Sequence, residues 1–261
     1  MKDRSKVIIL IFLVAAGEAF AQISPPGLDD TNTVVWGAFG FSQNLGKRWT
    51  TTVYVGSSRE SKPNTVSPVQ RQAILVLNQE TLYKFNSHWQ LALCTSFRNQ
   101  NEYEEERPYS PGDPSLRKEI RYYARMYYRD SFLKKGSIYY AFRPEYRTFF
   151  DHQDPWSPVS VEWRFRWKAQ ASYPLNESKS NQVVVGNELL GTTDHVAGTN
   201  GSYWSHYRFT EDRLTTYFKH TFSKPAVIVN IGVMHQIMTN GGYIAHLAFD
   251  VVFQNPFTKK I

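Results

Sequence analysis

The sequence predicts an all-β chain that closes into an up-and-down antiparallel transmembrane β-barrel of about twelve strands, with ten as the next count. Three observations carry this expectation. The first is the stretch Val159 to Tyr173, where Val159, Val161, Trp163, Phe165, Trp167, Ala169, Ala171 and Tyr173 alternate with Ser160, Glu162, Arg164, Arg166, Lys168, Gln170 and Ser172. Successive side chains of a strand point to opposite faces, so this is one ribbon with an apolar side and a charged side. At about 3.3 Å per residue it would run about 50 Å. An ordinary strand spans roughly 17–20 Å, whereas a tilted strand crosses a bilayer in about 9–11 residues. The second observation is that the same pattern recurs in the ribbons beside it. The third is the amino terminus, which reads as an export signal.

That terminus, residues 1–21, has Lys2, Arg4 and Lys6 at its head, an apolar run from Val7 to Ala16, and Ala19-Phe20-Ala21 before Gln22. This is the form of a cleaved secretory signal peptide. Its apolar run falls short of the roughly 20 residues a spanning helix needs. The mature chain is then expected to start at Gln22, outside the cytoplasm. Residues 22–33, with Pro25-Pro26-Gly27, read as an irregular lead-in, and residues 34–261 as a single barrel domain. Cys94 is the one cysteine among 261 residues, so an intrachain disulfide is impossible. A mean hydropathy of −0.46 argues against helical spans, but a barrel with a polar lumen lowers that average too. The net charge of +7 would suit nucleic acid; export makes that partner unsuitable and leaves anionic lipid headgroups, an acidic ligand or a solvated surface.

In chain order, Val34 to Ser42 and the strand containing Trp49, Thr51, Val53 and Val55 form a hairpin. Ser57 to Pro68 is a loop. Gln70 to Lys84 and Ser87 to Asn101 form the next pair, with Cys94 on the mostly polar face. Asn101 to Pro114 reads as a long acidic loop. Leu116 to Phe132 then sets Ile120, Tyr122, Ala124, Met126 and Tyr128 against Glu119, Arg121, Tyr123, Arg125, Tyr127 and Arg129. After the turn at Lys134-Lys135-Gly136, Ile138, Tyr140, Phe142 and Tyr146 oppose Tyr139, Ala141, Arg143, Glu145 and Arg147. A loop at Asp151 to Pro158 leads to the opening ribbon. Gln182 to Gly191 is a shorter strand carrying Glu188, and Thr192 to His206 reads as a loop. Phe209 to Phe222, the run around Val227 to Met234, and Tyr243 to Phe253 complete the series, the last two joined at Asn240-Gly241, a strong hairpin signal.

These ribbons number eleven. A sheet this wide leaves two open edges unless it closes. Because single-chain bacterial barrels usually have even counts, a further ribbon is expected, at Ile23 to Thr33 or Thr192 to His206. The apolar face can point inward, as in a soluble barrel, or outward to lipid. Strand length, aromatics making up 15% of the chain, and charges recurring mid-strand favour the outward choice.

The candidate ligand-binding set is the charged lumen: Arg121, Arg125, Arg143, Arg147, Glu162, Arg164, Arg166, Lys168, Glu188, Arg213, Lys219 and His246. Glu119, Glu145 and Arg129 lie on the same face. These groups either pair across strands and fill the barrel, or line a cationic pocket for small anionic solutes. Of seven histidines, His246 alone falls clearly on the lumen side, with Asp250 on the same strand face and no serine placed beside them. No catalytic residues are assigned. No spacing of His, Cys and carboxylates indicates a metal, and no cofactor is expected.

The series WRFRWKAQASYPL, VVVGNELL, FTEDRLTTYFKHTF, VNIGVMHQ and AHLAFDVVF, from about Val34 to Phe253, resembles an uncharacterised family of outer-membrane β-barrels from Bacteroidetes and related bacteria, catalogued as a domain of unknown function. Asn187-Glu188, Arg213-Leu214, Met234-His235-Gln236 and His246 carry the likeness. The resemblance implies the bacterial outer membrane as location and a barrel as fold, and supplies no reaction. The expected function is a non-enzymatic outer-membrane barrel, structural or passively channel-like, in contact with outer-membrane lipid and lipopolysaccharide. The alternatives are a lipid-modifying hydrolase using His246 or His206 at the lumen or rim, and a soluble exported barrel that binds a hydrophobic ligand.

Overall fold

The computed structural model describes Leu28 and residues 31–133, 135–150, 159–198 and 201–257. The signal-peptide reading of residues 1–21, most of the lead-in, the loop with His152, and the tail 258–261 lie outside the described residues. Twelve strands follow one another: β1 (Thr33–Asn44), β2 (Trp49–Glu60), β3 (Arg71–Lys84), β4 (Trp89–Tyr103), β5 (Pro111–Phe132), β6 (Gly136–Phe150), β7 (Val159–Pro174), β8 (Asn181–Gly198), β9 (Gly201–Trp204), β10 (Arg208–Ser223), β11 (Ala226–Met238) and β12 (Tyr243–Gln254). All pair antiparallel with their sequence neighbours except at two places. β8 skips to β10, and β12 closes on β1 in parallel.

Twelve strands are present, but the closed wall holds eleven. The even-number expectation fails because the seam is parallel: β1 and β12 both start at the end of the barrel that carries the longer loops. The seam is nevertheless well tied. Its register runs from Thr33 opposite Ala245 to Ser42 opposite Gln254, and Phe39 meets Phe253 with ring centroids 5.3 Å apart. Asn255 Oδ1 accepts the Asn44 N–H at 2.8 Å, and the Asn255 N–H donates to Ser42 O at 2.7 Å.

The twelfth strand comes from the segment read as a loop. β8 runs on through Thr192 to Gly198, and β9 pairs with its end, His195 opposite Trp204, on the side that β10 occupies lower down. Periodicity missed it because this extension continues past the last apolar pair of the wall and needs no alternation of its own. The acidic loop is also shorter than expected: Tyr103 pairs with Pro111, leaving residues 104–110. A gap lies within the wall itself. The β5–β6 register passes from Tyr123 opposite Glu145 to Met126 opposite Phe142, skipping Pro144, which has no N–H to offer a ladder.

The inward face is the charged one. In β7, Glu162, Arg166, Lys168 and Gln170 are buried, while Trp163 and Trp167 are exposed. The same inversion holds around the wall, where Phe39, Val55, Leu77, Leu93, Met126, Leu189, Leu214, Ile231, Leu247 and Phe249 all face out. Around the short turns the outward aromatics form contacts between strands: Trp49 with Tyr83 at 4.6 Å, Tyr83 with Phe85 at 5.0 Å, and Trp89 with Tyr128 at 5.0 Å between ring centroids.

The interior has two halves. Against β1, β3 and β12 lies an apolar cluster of Val34, Trp36, Ile74, Val76, Ile244 and Ala248, which also receives Leu28 from before the first strand. Trp36 donates its indole N–H to Asp250 at 3.1 Å and packs against Gly56. A Cβ at Gly56 would fall 2.2 Å from the indole, so only glycine admits it there. Gly56→Val is therefore expected to destabilise the barrel by about 1–3 kcal/mol, read as a lower urea midpoint in detergent micelles, whereas Gly37→Val, where a Cβ meets nothing within 4 Å, should leave the midpoint nearly unchanged.

Candidate functional site

Period-two alternation delivers every lumen charge to one concave face, and register then decides which charges meet. Glu119 on β5 accepts Arg121 Nη2 and Arg147 Nη2, each at 2.9 Å. Arg147 on β6 also donates to Glu162 of β7, which takes Arg164 Nε at 3.0 Å. A second chain starts at Arg143, 2.5 Å from Glu145; Arg166 bridges Glu145 at 3.1 Å and Glu188 at 2.5 Å. Arg213 approaches Glu188 at 3.9 Å and is held by Glu211, which accepts its Nε at 2.8 Å. Each of Glu119, Glu145, Glu162 and Glu188 thus serves two arginines. Two alternating chains of charge run across β5 to β7 and across β6 to β10.

Aromatic and amide groups complete the coordination. The Arg143 guanidinium sits 3.6 Å from the Tyr123 ring centroid, a cation–π contact. The Tyr123 hydroxyl donates to Asn78 at 2.7 Å, the Tyr139 hydroxyl to Gln170 at 2.9 Å, and Gln170 Nε2 to the Tyr217 hydroxyl at 3.1 Å. Arg125 pairs with Glu80 at 3.2 Å.

Of the residues expected from sequence, Arg121, Arg147, Glu162 and Arg164 form the first chain, and Arg143, Arg166, Glu188 and Arg213 the second. Lys168 lies opposite Glu188 in the β7–β8 register, and Lys219 opposite Gln182. Arg164 is the least enclosed of the set, being half-buried. His246 faces inward but stands apart, its Nε2 on Gln236 at 3.0 Å. Asp250 turns to Trp36 instead, and four residues along one strand separate the two by about 13 Å, so they make no catalytic pair. His195, expected in a loop, lies in β8 with Nδ1 3.1 Å from Ser160 Oγ; no carboxylate orients that imidazole among the described residues.

Glu80 and Glu211 were missed; both are inward carboxylates that pair with arginines of the candidate set. Glu211 stands two residues from Arg213 on the same face, a spacing legible in sequence. Glu80 shares parity with Asn78 but sits beside Thr81 and near a turn, where alternation weakens.

The burial decides what this interior can do. Arg213, Glu145 and His246 are 1%, 0% and 1% exposed, so even water scarcely reaches them from the surface. At their level the barrel is filled, as a polar core is filled. Removing one partner of such a pair leaves a buried charge without compensation, at about 3–5 kcal/mol. Glu145→Gln is expected to cost that order in a detergent unfolding titration, and Glu177→Gln, in an exposed turn, less than about 0.5 kcal/mol.

No match was found among curated proteins. A family model described as a protein of unknown function (DUF2490) matches residues 33–244, from the first residue of β1 into the start of β12. The matched span holds both charge chains and the strands that carry them. With most of its length so matched, the chain belongs to this family of proteins of unknown function, DUF2490.

Proposed function

We propose that this protein is a non-enzymatic β-barrel of the bacterial outer membrane whose filled, ion-paired interior suits a structural role better than a wide channel. The single observation behind the reading is the inverted wall. A soluble barrel buries its apolar face; here the enclosed face carries Arg, Glu, Gln and Asn, and the continuous apolar face points outward all round. Exposed apolar area on that scale calls for a nonaqueous solvent. Hydrocarbon supplies it, and closure leaves no unpaired edge to the lipid. Strands of 12 to 22 residues in the wall exceed the roughly 9–11 needed for a tilted crossing. The aromatic contacts at the short turns fit a girdle at one membrane interface.

The partners on this reading are outer-membrane phospholipid and lipopolysaccharide. The signal-like amino terminus gives a route of export. Expressed in a Gram-negative host, the chain should fractionate with the outer membrane and migrate faster before boiling than after it. Recovery as a soluble periplasmic monomer would overturn the reading. Leu77→Arg, on the outward face midway along β3, should cost about 2–4 kcal/mol if it meets the bilayer centre and sharply reduce the heat-modifiable form. A filled lumen further predicts that planar bilayers containing the protein show no steady large conductance.

A further inference from the structure

Three short turns, β3–β4, β5–β6 and β7–β8, meet at one mouth of the barrel around a cavity of about 360 Å³. Its lining holds the cations Arg129, Lys135 and Lys179 and the His88 imidazole, against a single carboxylate, Asp130. That carboxylate is already hydrogen-bonded, accepting the Ser131 N–H at 2.7 Å and the Tyr128 hydroxyl at 3.4 Å. Lys135 and Lys179 are exposed and make no ion pair among the described residues. The Arg129 guanidinium and the backbone that carries Lys179 are held in place by their neighbours. Arg129 Nη2 donates to Ser137 Oγ at 3.3 Å, and Arg129 O lies 2.9 Å from His88 Nδ1, which leaves the other ring nitrogen available. Lys179 sits at a φ of 55°, in a turn where Asn176 bonds Ser180 at 2.8 Å and Asn181 at 3.1 Å. Gln182 Nε2 ties the Lys179 carbonyl at 3.0 Å.

We infer that this mouth is a binding site for a phosphate group. Three cations and an imidazole around one opening exceed what a carboxylate ligand, with two oxygens and one charge, would use. A phosphate offers three or four acceptor oxygens and up to two charges, matching guanidinium, ammonium and hydroxyl donors set on different turns. The group arrives either on a small soluble molecule or on a lipid headgroup. The headgroup source rests on the membrane reading, since the pocket lies beside outward Trp89, Tyr128 and Tyr173; the soluble source does not.

The test uses the full mature chain in zwitterionic detergent, titrated by calorimetry with inorganic phosphate and with glycerol phosphate. In parallel, the same protein is reconstituted in phosphatidylcholine nanodiscs with and without phosphatidic acid, a lipid phosphomonoester, and retained phosphatidic acid is measured. Saturable binding in either arm is expected, weakened roughly tenfold or more in K135Q/K179Q, unchanged in K47Q on the neighbouring β1–β2 turn, and reduced by salt. Binding in the calorimetric arm alone identifies a soluble phosphate, and retention of phosphatidic acid alone identifies a headgroup. No binding in either arm, or equal binding by K135Q/K179Q and the parent, overturns the site. Since both lysines are exposed, the variant should keep its heat-modifiable migration, so loss of the site is separable from loss of the barrel.

Discussion

The fold rests on carboxylates that are shared. Enclosing the charged face removes many acidic and basic groups from water, and each isolated charge would cost several kcal/mol there. Glu119, Glu145, Glu162 and Glu188 meet that cost by each accepting two guanidinium groups, which suits the fork geometry of arginine and would not suit lysine. Because each of these carboxylates takes at least one arginine from another strand, the network also fixes register. A slip of one residue between β6 and β7 would turn Arg166 outward and leave Glu145 without one of its bridges.

Closure follows from a different set of contacts. An odd wall must join its first and last strands in parallel, a pairing slightly weaker per residue than the antiparallel one. Here side chains reinforce it, the Trp36 indole reaching Asp250 and the Gln43 amide oxygen accepting the Phe257 N–H at 3.1 Å, and the backbone adds Asn32 O, which accepts the Ala245 N–H at 3.0 Å. The apolar half of the interior packs against this same seam. The two halves thus divide the labour, with charge pairs ordering β5 to β10 and hydrophobic contact joining β12 to β1 to β3.

Much of this was legible in sequence. The alternation in β5, β6 and β7 identified the inward charges residue by residue, because side-chain parity is a local property of a strand. Strand count was less legible. Eleven ribbons could be read, yet a preference for even numbers displaced the reading, since the direction in which two termini meet is a long-range property. The β8 extension and β9 fall in the segment Thr192 to His206, one of the two places offered for a further ribbon, but GTTDHVAG carries no apolar stripe to fix their bounds. The pairing of Arg213 with Glu211 was visible at a spacing of two, but Glu80 with Arg125 depends on β3 and β5 facing each other across β4 inside a closed curve. The mouth pocket joins three turns distant in sequence, and only closure brings them together.

The account turns on which way the wall faces, and β7 reports it most directly. With Cys94 replaced by serine, single spin labels at each position from 162 to 169 can be scanned in liposomes for collision with oxygen, which partitions into lipid, and with a water-soluble nickel chelate. The account predicts high oxygen accessibility at 163, 165, 167 and 169, and low accessibility to both reagents at 162, 164, 166 and 168. Chelate accessibility at the odd positions, or the opposite phase of alternation, would contradict it.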